Sequence, residues 1–377
     1  MNRKNICEIC TLIMGQSPDS KSYNKDKNGI PFYQGNADFG EEHPTPTVWC
    51  TAPKKIARKG DILISVRAPI GDMNIANEDC CIGRGLAAIR LNKSDIVDIN
   101  YLYHYLSATV EFLQEQGTGS TFKAINKTTL GGIEIPCPSI EKQKNIAKLI
   151  IEIKTSIQYK KAELFALNEL VKSRFIEMFG DIRISSIFPN IALENFAQIG
   201  SSKRVHAADY VESGVPFYRS KEIIELGNGQ EPSVELFISK KQYESIKKTN
   251  GVPCKGDILM SAVGTIGKMW IVDGRKDFYY KDGNIISIHS EETNPIYLKE
   301  ALANLIDDFK SANVAGSAYS ALTIVKLKKM TVPMPPMSIQ NEFADFVKLI
   351  DKSKFIVQKQ IDDLQELLDS KMDEYFG

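Results

Sequence analysis

The sequence predicts a mixed α/β fold in which two pseudo-symmetric domains are separated by two long antiparallel coiled-coil helices. Duplication is the first observation behind this. GDILISVRAPIG (residues 60–71) returns as GDILMSAVGTIG (256–267), IPFYQ (30–34) as VPFYR (215–219), GSTFKAI (119–125) as GSAYSAL (316–322) and IPCP (135–138) as VPMP (332–335). The last two motifs, and the Phe-Gly pairs at 179–180 and 376–377, are all displaced by 197 residues. A degenerate two-copy repeat of this kind implies two similar domains. The second observation is that glycine and proline vanish from residues 139–178 and again from 337–375. Apolar side chains recur there in steps of three and four: Ile146, Ile153, Leu164, Val171 and Phe175 map onto Phe343, Ile350, Ile361, Leu368 and Met372. That spacing is a coiled-coil seam. The domain boundaries follow: domains at 1–138 and 181–336, helices at 139–180 and 337–377.

Each repeat carries the same series of elements. A Gly/Pro/Asn-rich, strand-prone region comes first (about 1–95 and 190–290), with short apolar strands at 61–66 and 257–261 punctuated by turn glycines. An amphipathic helix follows, with Leu102, Leu106, Val110 and Leu113 at helical spacing, and Leu298, Leu302, Ile306 and Phe309 at the same places 196 residues later. A polar Gly-Ser loop and a short strand ending in Pro-x-Pro lead into the long helix, with Ser139 and Ser338 as expected N-caps. A helix of about 40 residues spans roughly 60 Å, more than a domain core needs. Its single apolar stripe must be buried. The first long segment carries 8 basic and 5 acidic residues, the second 5 and 9, so opposite charge and matched length favour their pairing with each other. The first leads out of one domain and the second returns from the other, hence the antiparallel sense.

Bulk properties narrow the class. With 377 residues, 43% hydrophobic and 25% charged, the chain has the make-up of an ordinary globular protein with room for two cores. It shows no apolar run of the ~20 residues that cross a bilayer and no signal-peptide pattern at MNRKNICEIC. Seven cysteines, odd and scattered, read as thiols in a reducing compartment, so the cytoplasm is the expected location. Basic and acidic residues balance at 47 each, so any contact with nucleic acid must come from local clusters.

The duplicated GDIL(I/M)S…IG segments, Pro-Phe-Tyr segments, Gly-Ser loops and Pro-x-Pro junctions, in this order, resemble the specificity subunit of a type I restriction–modification system, from end to end. The resemblance implies two target-recognition domains, each reading one half of a split DNA sequence, and paired helices that dock two methyltransferase subunits, with restriction subunits completing a nuclease. It further implies methyl transfer to adenine N6 with S-adenosylmethionine held by the methyltransferase, no cofactor being expected on this chain. The residues agree with a non-catalytic subunit. There is no Gly-x-Gly-x-x-Gly after a strand, and the segment before Lys268 is not a Walker A loop: Ala262 stands for its first glycine and Met269 follows the lysine. No Asn/Asp-Pro-Pro-aromatic segment occurs. His43, His104, His206 and His289 stand isolated, with no His–Cys or His–carboxylate partner evident in sequence.

Candidate DNA-contacting residues follow from repeat position and chemistry. Gln34 and Arg219 end the matching Pro-Phe-Tyr segments; glutamine reads adenine and arginine reads guanine through paired hydrogen bonds in the major groove. A difference at equivalent positions is what two domains reading different half-sites require. Lys221 lies two residues beyond Arg219. Arg67 and Lys268 flank the glycine-bearing common loop and are placed to meet phosphates; Gly71 and Gly267 themselves are most simply turn residues. In the Gly-Ser loops Ser120, Lys123, Ser317 and Tyr319 offer hydroxyls and a cation, while Phe122 and Tyr319 are also candidates for packing. Arg84, between Gly83 and Gly85, occupies another permissive loop. For all of these the simpler alternative is a solvated loop residue.

Cys7-x-x-Cys10 and Cys80-Cys81 invite a zinc reading, but zinc needs four well-spaced ligands and Cys10 aligns with Ala197 in the second repeat. Buried thiols are expected, and no metal. The basic runs at 54–59 and 326–329 are either backbone contacts or solvated charge. Two rival functions stay open at this point: a protein-binding coiled-coil adaptor, and a specificity module serving another DNA-modification or defence enzyme.

Overall fold

The computed structural model describes residues 3–117, 124–181, 185–313 and 322–377. The chain divides into two compact units, residues 1–161 with 359–377 (unit one) and residues 162–358 (unit two). The two 40-residue helices, α5 (Ile140–Phe179) and α10 (Met337–Phe376), are therefore each shared between the units. Among the described residues no helix is long and apolar enough to cross a membrane.

Unit one begins with β1 (Arg3–Asn5), the short α1 (Ile6–Ile9) and β2 (Cys10–Met14), followed by β3 (Tyr23–Asn24), β4 (Ile30–Tyr33), β5 (Trp49–Cys50) and β6 (Ile56–Ala57). Then come β7 (Ile62–Ser65), β8 (Met73–Ile75), β9 (Cys80–Ile82) and β10 (Leu86–Leu91). One sheet has the order β2-β10-β7-β8 and is antiparallel throughout; the other runs β3-β5-β4-β9-β6, with β4 and β9 parallel. The strand β7 is the first common motif, and all four of its residues are buried, as befits an inner strand. Helices α2 (Ile99–Ala108), α3 (Val110–Glu115) and α4 (Lys127–Gly131) follow, and β11 (Glu134–Pro136) pairs with β1 before α5 begins.

Unit two, after the pair β12 (Gly180–Asp181) and β13 (Ser185–Ser186), repeats this plan. Its strands are β14 (Asn190–Ala192), β15 (Gln198–Gly200), β16 (Tyr210–Val211), β17 (Val215–Tyr218) and β18 (Phe237–Ile238), then β19 (Ile258–Ser261), β20 (Met269–Ile271), β21 (Tyr279–Tyr280) and β22 (Ile285–His289). The sheet orders are β15-β22-β19-β20 and β16-β18-β17-β21, with β17 and β21 parallel, and β14 pairs with β23 (Thr331–Pro333). Among the described residues two helices are peculiar to unit two. One, α6 (Ser220–Gly227), follows β17; the other, α7 (Lys240–Thr249), stands where unit one forms β6. Helices α8 (Pro295–Asn313) and α9 (Ile324–Lys329) complete it. The repeat read from sequence is thus a repeat of topology, and the fold is the mixed α/β arrangement expected.

Position-specific reasons for the repeat are visible in its glycines. Gly71 and Gly267 adopt φ of 100° and 80°, a left-handed conformation that disfavours any side chain. A Cβ at Gly71 would come 2.4 Å from Val110 of α3, and one at Gly267 would come 2.4 Å from Ile306 of α8. They are turn glycines against a helix.

The predicted seam is buried or half-buried along both long helices. In unit two, Phe175 and Phe179 of α5 meet Phe343 of α10 with ring centroids 5.6 and 5.3 Å apart, and Arg174 bonds Glu342 at 3.2 Å. In unit one, Phe376 at the end of α10 packs on Tyr101, whose hydroxyl donates to the Pro136 carbonyl just before α5. The end of each helix therefore lies beside the start of the other, which is the antiparallel pairing. Ser139 caps α5, its hydroxyl accepting the Lys142 amide at 3.4 Å and its carbonyl the Gln143 amide at 3.0 Å. Ser338 does not cap α10. It lies inside the helix, and the Pro336 carbonyl accepts the amides of Ile339 and Gln340. The 197-residue displacement puts Pro336 at Ser139's place, where proline's missing N–H costs nothing.

Candidate nucleic-acid interface

In unit one a chain of backbone hydrogen bonds ties together the predicted loops. Gly83, following β9, donates to the Tyr33 carbonyl at 2.8 Å, and Gly85 donates to the Gln34 carbonyl at 3.1 Å. The Gly85 carbonyl accepts the Val66 amide at 2.9 Å, and the Val66 carbonyl accepts the Ile125 amide at 3.0 Å. Arg67 forms an antiparallel bridge with Ala124. On the other flank, Ile82 donates to the Lys55 carbonyl at 3.0 Å. Lys55, Arg84, Gln34 and Arg67 thus line one edge, all with exposed side chains. The parallel pairing of β4 and β9 causes this, because it brings the C-terminal ends of both strands to the same side.

Among the described residues Arg67 and Arg84 have no ion-pair partner, so their charge is open to an anion. Gln34 keeps its amide group exposed while its backbone N–H is held by Asp38 at 2.7 Å. An exposed amide on the same edge as open guanidinium groups suits a duplex: phosphates for the cations, a base edge for the amide.

Unit two builds the same edge with other residues. Lys281 donates to the Tyr218 carbonyl at 2.8 Å, and Ala262 to the Asn284 carbonyl at 2.8 Å. Arg219 stands at Gln34's position, Val263 at Arg67's, and the segment 281–284 replaces Gly83-Arg84-Gly85. The electrostatics differ. One terminal nitrogen of Arg219 donates to Glu222 at 2.8 Å and to Glu235 at 2.9 Å, and Lys221 bonds Glu235 at 3.1 Å. Glu222 is fully buried, and its hydrogen bond is the main reason the Arg219 guanidinium is held above its usual range. Lys221 and Arg219 pull the Glu235 carboxyl below its usual range. Arg204 is paired with Asp282 at 2.9 Å. Lys268 is exposed, closes the common loop, and sits at the place of Asp72 rather than of Arg67: the amides of both Asp72 and Lys268 bond the serine that ends the preceding strand, Ser65 or Ser261.

Ser120, Lys123, Ser317 and Tyr319, together with Phe122, lie outside the described residues. Sequence reasoning missed Glu222, Glu235 and Asp282. The Arg-x-x-Glu spacing at 219–222 was a signal for the first, since residues three apart in an opening helical turn face each other.

Two further sequence readings are resolved. The histidines are not all without carboxylate partners: His289 Nδ1 lies 2.6 Å from Asp257. Its counterpart in unit one is Arg90 paired with Asp61 at 2.8 Å. Each aspartate also accepts an amide in the Lys-Gly-Asp turn, Arg58 N or Cys254 N, at 2.8 Å. The pair is a device for closing a turn, invisible in sequence because β10 and β22 supply the partner from afar. Cys10, Cys80 and Cys81 are buried, and burial pushes their thiols up to about 12, 12 and 11 respectively. Cys7, by contrast, is exposed.

A family model described as the type I restriction modification DNA specificity domain matches residues 1–169 and 188–366. The chain is 45% identical over 177 residues to a putative type I restriction enzyme MjaX specificity subunit of Methanocaldococcus jannaschii, a match covering 46% of the chain and 41% of that relative. It is 24% identical to the MjaIX specificity subunit of the same organism, over 97% of the chain and 90% of the relative. Among solved structures, the S subunit of a type I restriction–modification system from M. genitalium superposes with a TM-score of 0.59 at 16% identity, covering 100% of the chain and 96% of that subunit, a likeness of fold.

Proposed function

Because the chain belongs to the type I restriction–modification DNA specificity family, we propose that it reads a bipartite, asymmetric DNA target and scaffolds two methyltransferase subunits. Unit one takes one half-site and unit two the other. Restriction subunits join the assembly where the host has them. The chain itself is non-catalytic and acts in the cytoplasm. Its methyltransferase partners hold S-adenosylmethionine and extrude the target adenines from the stack.

One observation carries this reading: the same backbone edge is built twice with different side chains. Gln34 is matched by Arg219, Arg67 by Val263, and the loop bearing Arg84 by one bearing Asp282. A common frame with divergent chemistry is what two independent half-sites demand, whereas a general DNA binder or a protein adaptor gains nothing from it. In unit one Gln34 is the proposed reader of an adenine edge, and Arg67, Arg84 and Lys55 are the proposed phosphate contacts. In unit two Arg219 and Lys221 are the polar readers, with Lys268 beside them as a phosphate contact. Ser120, Lys123, Ser317 and Tyr319 belong to the same proposed surface through the loops they occupy.

The test is a genome-wide methylation map of cells carrying this chain with its methyltransferase partner. A single split motif with a fixed unread spacer is expected. A contiguous motif, or methylation without sequence preference, overturns the proposal.

A further inference from the structure

After β5 and β18, which are topologically equivalent, the two units diverge completely in secondary structure. Unit one forms the edge strand β6, flanked by Lys54, Lys55, Arg58 and Lys59. Unit two forms the helix α7, which carries Lys240, Lys241, Lys247 and Lys248. All eight cations are exposed, and among the described residues none forms an ion pair. Shape has changed and the excess of exposed cations has not: outside the shared Lys-Gly-Asp turn (Lys59 and Lys255), Lys54, Lys55 and Arg58 of unit one are answered by the four lysines of α7. Solubility alone gives no reason for a basic cluster to persist on two unrelated backbone forms at one place in the fold.

Helix geometry sharpens the case in unit two. At 100° per residue, the four lysines of α7 fall within one arc, and Tyr243 and Ile246, both buried, lie outside it. The acidic residue of the helix, Glu244, lies in the lysine arc but pairs with none of them. The buried side is fixed firmly: Tyr243 packs in the same core as Phe217 and Tyr218 of β17, and its hydroxyl donates to Asp277 at 3.0 Å. The lysine arc thus belongs to a helix whose buried side shares a core with β17, the strand that ends beside Arg219. In unit one the corresponding segment touches the candidate edge directly, through the Lys55 carbonyl and Ile82.

We infer that α7 is a phosphate-binding element of unit two, gripping the DNA backbone independently of sequence, in place of the basic edge strand that serves unit one. This rests on the DNA-reading function proposed above. The grip also supplements Lys268, since Arg204, Arg219 and Lys221 of unit two are occupied by carboxylates.

The experiment titrates salt against binding of the chain, complexed with its methyltransferase partner, to a duplex bearing the mapped target. Wild type is compared with K240Q/K241Q, with K247Q/K248Q, with the quadruple glutamine variant and with a quadruple arginine variant. For every phosphate no longer neutralised, the slope of log K against log salt becomes shallower by about 0.9, so the quadruple glutamine variant is expected to lose up to ~3.6. The methylated motif stays unchanged, and the arginine variant keeps the wild-type slope. A wild-type slope in the quadruple glutamine variant overturns the inference. So does a loss of methyltransferase assembly with the DNA slope intact, which would mark an acidic protein as the occupant. If the quadruple variant misfolds by circular dichroism, the two double variants decide. Failure of the underlying reading looks different: the wild-type complex would then not discriminate its mapped target from scrambled duplex.

Discussion

Phe376, next to last in the chain, packs edge-on against Tyr101, with ring centroids 5.4 Å apart and planes inclined at 62°. Phe179 does the same to Tyr297, at 4.8 Å and 65°. The hydroxyls of Tyr101 and Tyr297 donate to Pro136 and Pro333, at 3.0 and 2.6 Å. Each long helix thus ends by inserting an aromatic ring at the junction from which the other helix departs. The repeat is closed by exchange: the end of α5 completes unit two, and the end of α10 completes unit one.

Phe376→Ala should therefore destabilise unit one although it alters the far end of the sequence. A fully buried phenylalanine costs ~3–5 kcal/mol on truncation. Phe376 is half-buried, so about 2 kcal/mol is expected. Hydrogen exchange resolves the units separately: amides of α2 and β11 should lose protection while those of β19 and β22 keep theirs. Equal loss in both units would refute the exchange picture.

Gln143 fastens the start of α5. Its side-chain oxygen accepts the Asp98 amide at 2.9 Å, and its nitrogen donates to the carbonyls of Ile96 and Pro138, both at 2.9 Å. Gln340 repeats this in unit two with Asn294 and Pro335. Gln143→Leu keeps the volume but strands one half-buried donor and two acceptors, at up to ~1–3 kcal/mol for each group left unpaired. A loss of at least about 2 kcal/mol in denaturant unfolding, with fast exchange of the Asp98 amide, is expected. An unchanged midpoint would show that water satisfies these groups.

Acid sensitivity of unit one should trace to His104. Burial, and then the Lys154 cation 3.5 Å away, push its imidazole from 6.5 down to about 4. The unfolded chain therefore binds this proton first as pH falls. Stability is complete above about 6.5, declines as pH drops through the window down to about 4, and changes no further below it. A shift of this size corresponds to roughly 3 kcal/mol. His104→Gln should flatten that limb. With Trp270→Phe leaving Trp49 as the single tryptophan reporter, urea midpoints at about pH 7 and about pH 4.5, either side of most of the transition, measure it. A wild-type pH dependence in the variant would assign the acid limb elsewhere.

Much of this was legible in the chain because repeated turns must be written in repeated residues. Gly71 and Gly267, the apolar seam and the Pro-x-Pro junctions all carry local constraints that sequence states directly. The adjacency of Gln34 and Arg84 was not legible. It depends on β4 pairing in parallel with β9, strands far apart along the chain with no local signature for their pairing. Nor could charge pattern distinguish β6 from α7, since a basic run suits an exposed strand edge and an exposed helical face alike. The capture of Arg219 by Glu235 was hidden for a similar reason: α6 and a loop intervene, and only the folded sheet brings the two together.

That capture yields the sharpest expectation about specificity. The Arg219 guanidinium, proposed above to read a base, is braced by buried Glu222 and held by Glu235, which is exposed. Arg219→Ala should change the methylated motif in one half only, relaxing one position, with ~1–3 kcal/mol of discrimination lost there. Glu235→Gln should act in the opposite direction. With that carboxylate neutralised, affinity for the unchanged motif should rise, and the gain should shrink as salt rises, because the removed charge repels phosphate over distances that ions screen. Gln34→Ala should alter the other half. Methylation maps of the three variants beside the wild type, with a salt titration of Glu235→Gln, test all of this together. A motif that survives Arg219→Ala in both halves would reduce Arg219 to a structural partner of Glu222 and move the reading of unit two to other residues.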